Sequence, residues 1–281
     1  MSILKGKNGK IIENFIKIIG ILSIIPVVFI LIYIIFKGIP SISWEFLSQS
    51  PKNGMRGGGI FPAIIGSLYL TLGTIIVSVP FGILTGVFLV EYSKDNWIKR
   101  IINLTIVNLA GIPSIIYGLF GMAFFVIYMG MGASIIAGSL TLGIMCLPVI
   151  ITATRESLLA VPNHLREGSL ALGATKWETI WKIILPAGSP GILTGVILSI
   201  SRATGETAPI MFTVAAFYLP FLPESIWDQA MTLPYHLYVI ATQVPNMPRA
   251  NMDGTLFVLV SITVGFNLLG AYVRTKFNKQ R

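Results

Sequence analysis

The sequence predicts an all-α polytopic membrane protein with about six transmembrane helices, and three observations support this fold class. Hydrophobic residues make up 54% of the 281-residue chain, and charged residues make up only 11%. The mean hydropathy is +0.82. A soluble domain of this composition could not cover its surface with polar groups. The apolar residues also fall in long charge-free runs, the pattern of helices that cross a bilayer core of about 30 Å.

These charge-free runs place the six spans. The run 101–154 carries no charge and is long enough for two helices that fold back at Gly130-Met131-Gly132. The predicted spans are 18–36, 63–90, two within 101–154, one that begins near Pro190, and 255–273.

Small residues and prolines inside the spans predict where helices pack and where they bend. Gly82-x3-Gly86 suits close contact with another helix, because small residues let backbones approach each other in lipid. Pro80, Pro113 and Pro148 are expected to kink or break their helices, since proline lacks the backbone N–H that a helix needs.

The distribution of basic residues predicts the side on which each loop lies. Fifteen Lys and Arg residues flank the spans on the side of the two termini, against four on the opposite side. Because Lys and Arg concentrate in cytoplasmic loops, both termini are predicted to be cytoplasmic. The predicted organisation is a cytoplasmic segment 1–17, a transmembrane domain 18–274 with its core at about 64–273, a cytoplasmic loop at about 155–187, an extracytoplasmic segment at about 217–254, and a cytoplasmic tail 275–281.

The extracytoplasmic segment at 217–254 is rich in proline and aromatic residues, and it is too long for a bare turn. One interpretation is a gate or a contact surface for an extracytoplasmic protein. The other is an interfacial segment that Trp227 and Tyr235 anchor in the membrane. The sequence leaves both open.

Missing motifs exclude several classes of protein. The chain has no G-x4-G-K-[ST] phosphate loop, no G-x-S-x-G elbow and no H-E-x-x-H helix. Cys146 is the only cysteine, and His164 and His236 lie far apart, so neither a disulfide framework nor a His/Cys metal cluster is predicted. The basic residues cluster at span ends and not in a nucleic-acid-binding stripe. We therefore expect a chain without catalytic activity, a metal site or a nucleic-acid partner.

The segment 163–186 is charged and amphipathic, and it lies between apolar spans. Asn163 is predicted to cap a first short helix, Gly173 to end it in a left-handed turn, and Thr175 with Glu178 to form a capping box for a second. In the second helix, a single apolar stripe is predicted at helical spacing, made of Trp177, Ile180, Trp181 and Ile184. This stripe either rests on the membrane interface or docks into a partner protein.

Arg202 and Glu206 are the most unusual residues chemically, because they are charges inside a predicted span. Counted from Pro190, Arg202 lies about 18 Å along the helix, near the bilayer midplane. A central arginine is unfavourable by about 2.5–3.5 kcal/mol and is expected to face protein or water. One interpretation is an anion pathway, because the planar fork of arginine matches tetrahedral oxyanions. The alternative is a buried ion pair that holds helices together.

Glu206 bears on which anion such a pathway would take. A glutamate beside the arginine would repel a fully deprotonated anion, but it can accept a hydrogen bond from a phosphate that still carries a proton. This favours phosphate over sulfate. Glu206 could equally serve to neutralise Arg202 between transport events.

Two other classes of transporter are alternatives to this pathway. An ion-coupled secondary transporter also buries charged residues, but it is typically built from two repeated halves with interrupted helices, and no such repeat is evident. A channel needs a pore-lining ring or filter, and the sequence identifies none. ATP dependence of transport would distinguish both from a pump.

Glu167, Gly173, Ile183 and Leu185-Pro186 have the spacing E-A-A-x3-G-x9-I-x-L-P, which resembles the cytoplasmic signature loop of ABC importer permeases. Gly168 and Ser169 replace the usual alanines. Long motifs over most of the chain resemble the phosphate importer permeases among them, above all their PstA-type subunit. These motifs are GGGIFPAIIGSLYLTLG, NLAGIPSIIYGLFG, LREGSLALGATKWETI, LPAGSPGILTGVIL, SRATGETAPIMFT and LPYHLYVIAT.

The resemblance implies a permease in the cell membrane of a bacterium or an archaeon. It implies a second, PstC-type permease, two PstB-type ATPase subunits that bind ATP and Mg²⁺, and an extracytoplasmic phosphate-binding protein. This chain would bind no cofactor itself. The expected translocation residues, which match an R-x2-G-E-T element, are Arg202, Glu206 and Thr207. The expected ATPase-coupling residues are Arg166, Glu167, Gly173, Ala174 and Thr175.

Overall fold

The computed structural model describes residues 7–279, so the ends of the predicted N-terminal segment and tail, 1–6 and 280–281, lie outside the described residues. Within 7–279 the chain is mostly helical. The α-helices are α1 (Lys7–Gly38), α2 (Trp44–Ser48), α3 (Phe61–Val87), α4 (Trp97–Ala110), α5 (Ser114–Gly121), α6 (Ile135–Leu159), α7 (Asn163–Ala171), α8 (Lys176–Thr179), α9 (Leu185–Gly205), α10 (Ala208–Met211), α11 (Leu233–Thr242) and α12 (Arg249–Lys279).

Shorter elements complete the chain. A 3₁₀ turn follows α1 at Ile39–Ser41, and β1 (Pro51–Lys52) pairs antiparallel with β2 (Gly57–Gly58). Three π-helical turns continue α3, α5 and α8, at Phe88–Tyr92, Met122–Tyr128 and Ile180–Ile184.

The prediction of about six spans is confirmed, although one of the spans is broken. Among residues 7–279, five helices are long and apolar enough to cross a membrane, and α4 with α5 adds a sixth if the bent pair counts as one. The two helices meet at 105°, because Pro113 lacks an N–H and also disfavours helical geometry at the preceding residue. Pro80 and Pro148 lie inside helices that stay continuous. The fold-back is confirmed at Gly130 and Gly132, whose φ angles are +67° and +65°.

The predicted start of the fifth span near Pro190 is wrong. A continuous helix runs from Lys176 to Gly205 through α8, the π-helical turn and α9. The π-helical turn directly precedes α9, whose second residue is Pro186. Such turns re-pair carbonyl groups that a proline leaves without a donor, so the helix continues through it. Of the predicted loop 155–187, only the residues between α6 and α8, 160–175, lie outside α6 and this continuous helix.

The core of the bundle is the packing of α3 and α9 against α6. A Cβ built on Gly82 or Gly86 would meet Ile150 or Thr154 of α6 at 2.6 Å. The predicted close contact at this glycine pair is therefore present. By contrast, α1 packs mainly against α12, and 6% of its most apolar window is buried. Its apolar side chains face outward, as expected of a helix in lipid.

The polar segments lie at the two opposite ends of the bundle. At one end, here called the loop face, the region 91–100 and the region 155–175 come together: Arg166 Nη2 donates to Glu91 Oε1 at 2.9 Å. At the other end, the cap face, β1, β2 and the segment 217–251 form a cover. Arg56 Nε donates to the Pro245 carbonyl at 3.0 Å, and Asn251 Nδ2 donates to the Arg56 carbonyl at 3.0 Å.

The cap face contains a buried histidine that predicts a pH dependence. His236 of α11 is 3% exposed, and its Nδ1 has no hydrogen-bond partner among the described residues. Burial lowers the pKa of His236 from 6.5 to about 4. The imidazole of His236 is therefore neutral in the folded protein near neutral pH. Its contribution to stability is complete above pH 6.5 and is lost as the pH falls toward 4, by roughly 2 kcal/mol at pH 5.

We expect the thermal midpoint for unfolding of the cap face to decrease when the pH is lowered from 7 to 5. The readout is the protease resistance of the segment 217–251. His236→Leu should flatten this dependence, because leucine fills the apolar site without titrating. The matched control is His164→Gln at the other histidine, which is exposed on α7. An unchanged pH dependence in His236→Leu would contradict the assignment to this ring.

Candidate functional site

The segment between α6 and α8 forms the helix, glycine and helix turn that the sequence predicts. Gly173 has φ +85°, and the Ala174 N–H donates to the Ser169 carbonyl at 3.2 Å across the turn. The capping box is present: the Glu178 N–H donates to Thr175 Oγ1 at 3.2 Å, and the Thr175 N–H donates to Glu178 Oε2 at 3.0 Å. The turn is therefore fixed by its own backbone and side chains.

Two details of this segment differ from the prediction. Asn163 is the first residue of α7 and does not cap it, because Pro162 occupies the capping position and makes no side-chain bond. The predicted apolar stripe is divided. Ile180 and Ile184 are buried in the bundle, whereas Trp177 and Trp181 are 59% and 45% exposed. The cause is that α8 is not a separate docked helix but the first turn of the fifth span.

The side of α7 that faces away from the bundle is open. Glu167 is exposed, and Leu170 and Leu172 are 50% and 90% exposed. A leucine this exposed is more typical of a contact surface than of an isolated side chain in water. Ala174 is partly buried, and Thr175 is exposed. Four of the five predicted coupling residues thus lie at or next to this surface.

Gly168 and Ser169, which replace the usual alanines of the signature loop, lie in different environments. Ser169 is the one residue of α7 buried in the bundle, and its Oγ lies 2.9 Å from Thr179 Oγ1. Thr179 Oγ1 also bonds the Thr175 carbonyl at 3.0 Å. The buried serine therefore has a polar partner. Gly168 has no atom within 4 Å of a built Cβ, so alanine would fit there in this chain.

Arg166, the fifth predicted coupling residue, points into the protein. Its Nε and Nη2 donate to Glu91 Oε1 at 3.1 and 2.9 Å, and its Nη2 and Nη1 donate to the carbonyls of Leu158 and Val161, each at 2.7 Å. Nη1 also donates to Asn163 Oδ1 at 3.3 Å. All five N–H donors of the guanidinium are thus used. Sequence reasoning missed Glu91, because a partner 75 residues away leaves no spacing signal.

Arg202, Glu206 and Thr207 lie together where the fifth span ends. Arg202 Nε is 3.3 Å from Glu206 Oε1, and the two side chains are 52% and 16% exposed. The Nη groups of Arg202 make no hydrogen bond within the described part of the chain. Glu206 adopts extended geometry (ψ 134°) and interrupts the helix before α10. Thr207, which precedes α10, makes no capping bond with its side chain.

The depth of Arg202 along the bundle is determined from its neighbours' contacts and not from the predicted start of the span. Measured from Lys176, the helix is about 39 Å long at Arg202. Ser199, one turn earlier, donates to the Cys146 carbonyl at 3.3 Å. Cys146 lies near the middle of the 25-residue α6. Arg202 therefore lies within about one helical turn of the level of the middle of α6.

Two helix interruptions meet near Arg202. A Cβ built on Gly118 of α5 would lie 2.9 Å from the Ala208 carbonyl of α10, so the two short helices are in backbone contact. The break before Ser114 and the break at Glu206 are thus neighbours within the bundle. Interrupted helices at mid-membrane depth are found where the backbone lines a cavity or is buried in protein.

The ion pair of Arg202 and Glu206 does not connect two separate helices in the described part of the chain, since both residues lie at the end of α9. Half of the Arg202 side chain is uncovered, which leaves its fork available to a group outside this chain. An apolar groove of about 460 Å³ lies elsewhere, between α3, α6 and residues 223–226, and none of Arg202, Glu206 and Thr207 lines it. Among the described residues, no group of three His, Cys, Asp or Glu side chains could hold a metal ion.

Comparison with known proteins places these features in a family. Residues 78–280 match the family model described as "Binding-protein-dependent transport system inner membrane component". The chain is 33% identical over 261 residues to the probable ABC transporter permease protein YqgI of Bacillus subtilis (strain 168), covering 88% of each chain. It is 34% identical over 259 residues to the phosphate transport system permease protein PstA of Mycobacterium leprae (strain TN), covering 90% of this chain and 84% of the relative.

The fold has solved counterparts. A chain of a bacterial alginate ABC transporter, crystallised in complex with an alginate pentasaccharide-bound periplasmic protein, superposes with a TM-score of 0.66 at 13% identity. The superposition covers 95% of this chain and 96% of that chain. At this identity the likeness concerns the fold alone.

Proposed function

Because the chain belongs to the family of binding-protein-dependent transport system inner membrane components, we propose that it is the permease subunit of an ATP-driven importer of inorganic phosphate. Relatives named as phosphate transport system permeases, at 32–34% identity over 90% or more of this chain, support phosphate as the substrate. The observation that carries the proposal is the unsatisfied fork of Arg202 at mid-bundle depth. A half-uncovered guanidinium there is suited to a tetrahedral oxyanion that crosses the membrane.

The translocation site consists of Arg202, Glu206 and Thr207. The two Nη groups of Arg202 donate to two phosphate oxygens, while Glu206 accepts a hydrogen bond from the O–H group of a monoprotonated phosphate and keeps the guanidinium oriented. Thr207 offers a hydroxyl that no helix cap uses. Because half of the Arg202 side chain is uncovered, this chain forms one side of the path and a second permease, of the PstC type, forms the other.

The loop face is the cytoplasmic side, which follows from the excess of Lys and Arg there. The open surface of α7, with Glu167 and the turn at Gly173, Ala174 and Thr175, docks on a cytosolic ATPase. Two PstB-type ATPase subunits bind ATP and Mg²⁺ and supply the energy, so this chain itself is not catalytic. The cap face, on the other side, receives an extracytoplasmic phosphate-binding protein. The complex is located in the cell membrane of a bacterium or an archaeon.

The proposal is tested by uptake of radiolabelled phosphate into vesicles that contain this chain with its proposed partners. We expect uptake that requires ATP on the ATPase side and the binding protein on the other. Uptake that runs on an ion gradient without the ATPase would overturn the importer assignment in favour of a secondary transporter. ATP-driven uptake of sulfate with no uptake of phosphate would overturn the substrate.

A further inference from the structure

The guanidinium of Arg166 joins three parts of the loop face. It bonds Glu91 in the π-helical turn that ends α3, the Leu158 and Val161 carbonyls at the end of α6, and Asn163 in the first turn of α7. The donors of one side chain thus hold the cytoplasmic ends of two spans and the proposed docking helix at a fixed separation.

This junction is shielded from solvent. The side chains of Arg166 and Glu91 are 18% and 10% exposed, and the Nη2–Oε1 distance is 2.9 Å. Carbonyl groups at the C-terminal end of a helix carry negative partial charge, so the arginine also compensates the end of α6. Removing either partner leaves a largely desolvated charge without its counterion, which destabilises far more than loss of an exposed pair.

Apart from this junction, α7 is weakly held. It has nine residues, and Ser169 is its one buried residue. A helix this short does not persist through its own hydrogen bonds. The Arg166 junction and the Ser169–Thr179 contact are therefore what positions α7, and the two lie on either side of Glu167.

We propose that Arg166 and Glu91 form a positioning clamp that couples α7 to α3 and α6. This inference rests on the proposed function: the ATPase contacts the open side of α7, and the clamp transmits the displacement of α7 to the two spans. Arg166 then acts inward through Glu91 and does not itself bind the ATPase. Glu91 becomes a coupling residue that lies outside the signature loop.

The test compares Glu91→Gln with Asp95→Asn in the complete complex. Asp95 pairs with Lys99 at the same face, but its side chain is 95% exposed, so it is a matched control for a lost carboxylate. We expect Glu91→Gln to raise the ATP hydrolysed per phosphate imported by at least about fivefold, within the range of typical coupling energies. Asp95→Asn should leave this ratio unchanged.

A second measurement does not depend on transport. A spin label on His164→Cys, in a Cys146→Ala background that removes the only native cysteine, reports the motion of α7. We expect the label to become more mobile in Glu91→Gln and in Arg166→Gln, and less so in Arg166→Lys, which keeps the charge but has three donors in place of five. The double variant Glu91→Gln/Arg166→Gln should be no worse than Arg166→Gln alone, because both changes remove one contact.

Two results would overturn the clamp. One is a wild-type complex that imports phosphate while Glu91→Gln shows the wild-type coupling ratio and label mobility. The other is additive losses in the double variant, which would mean that Arg166 and Glu91 act separately. A wild-type complex that fails to import phosphate would instead contradict the proposed function, while unchanged label mobility would still count against the clamp.

Discussion

Replacing Arg202 by Gln should lower ATP-dependent phosphate uptake by at least about 100-fold, because two charge-assisted hydrogen bonds to the anion are lost and each contributes about 1.5–3 kcal/mol. Glutamine keeps a polar side chain but is shorter and uncharged, so the change removes both the charge and the fork. Glu206 also loses its counterion, and the pathway acquires a net negative charge that repels phosphate. The measurement is initial uptake of labelled phosphate into vesicles at saturating ATP.

Three controls separate a translocation role from a structural one. Arg202→Lys keeps the charge but not the fork and should retain about a tenth of the uptake. Arg100→Gln, at an exposed arginine of the loop face, should retain wild-type uptake. Co-purification of the ATPase subunit should be unchanged in all three variants. Normal uptake by Arg202→Gln with an intact complex would show that the pathway does not use this residue.

The parts of this site that the sequence predicts are those fixed by neighbours in the chain. Thr175 and Glu178 are three residues apart, so their reciprocal capping bonds are visible in the spacing. Gly173 follows the last helical residues of α7, where a left-handed conformation favours glycine. Arg202 and Glu206 are one helical turn apart, and the structure places them in contact as expected. In each case the interaction is local, and its geometry follows from helix periodicity.

The predictions that were wrong depended on tertiary context. Helical periodicity groups Trp177 and Trp181 with Ile180 and Ile184, but it does not tell which part of a stripe meets the bundle. Charge-free runs do not show that a helix continues through a charged segment, so the predicted start of the fifth span near Pro190 is too late. A π-helical turn nevertheless lets the helix begin at Lys176 and extend beyond its apolar part.

The contact between Arg166 and Glu91 also depends on tertiary structure, so local spacing in the sequence does not predict it. It joins the π-helical turn that ends α3 to α7, and only the packing of α3 against α6 brings the two together. Arg166 and Glu167 are adjacent in the predicted coupling loop, but Arg166 is oriented toward the bundle and Glu167 faces outward. Neighbouring residues of one motif can therefore have different tasks: Glu167 is proposed to meet the ATPase, and Arg166 to position the helix that carries it.

Replacing Gly173 by Val should uncouple the proposed ATPase from transport. At φ +85° a residue with a Cβ is strained by roughly 1–2 kcal/mol, and a β-branched residue by more. No atom lies within 4 Å of a Cβ built at this position, so the effect is conformational and not a clash. The turn would relax toward negative φ and change the angle between α7 and α8. Since Glu167 and Leu172 lie on α7 and at its end, the docking surface would be displaced, and we expect ATP-dependent uptake to fall more than about tenfold.

The neighbouring glycine supplies the comparison that isolates this cause. Gly168 is equally free of neighbours, but it lies within α7 and has helical geometry. Gly168→Ala should therefore retain wild-type uptake, and it restores the alanine that is usual at this position of the loop. The uptake by Gly173→Ala should lie between the uptake by Gly168→Ala and that by Gly173→Val, since alanine tolerates positive φ better than valine does. Equal uptake by the two alanine variants, with Gly173→Val also unimpaired, would mean that the left-handed turn is not what holds the docking surface in place.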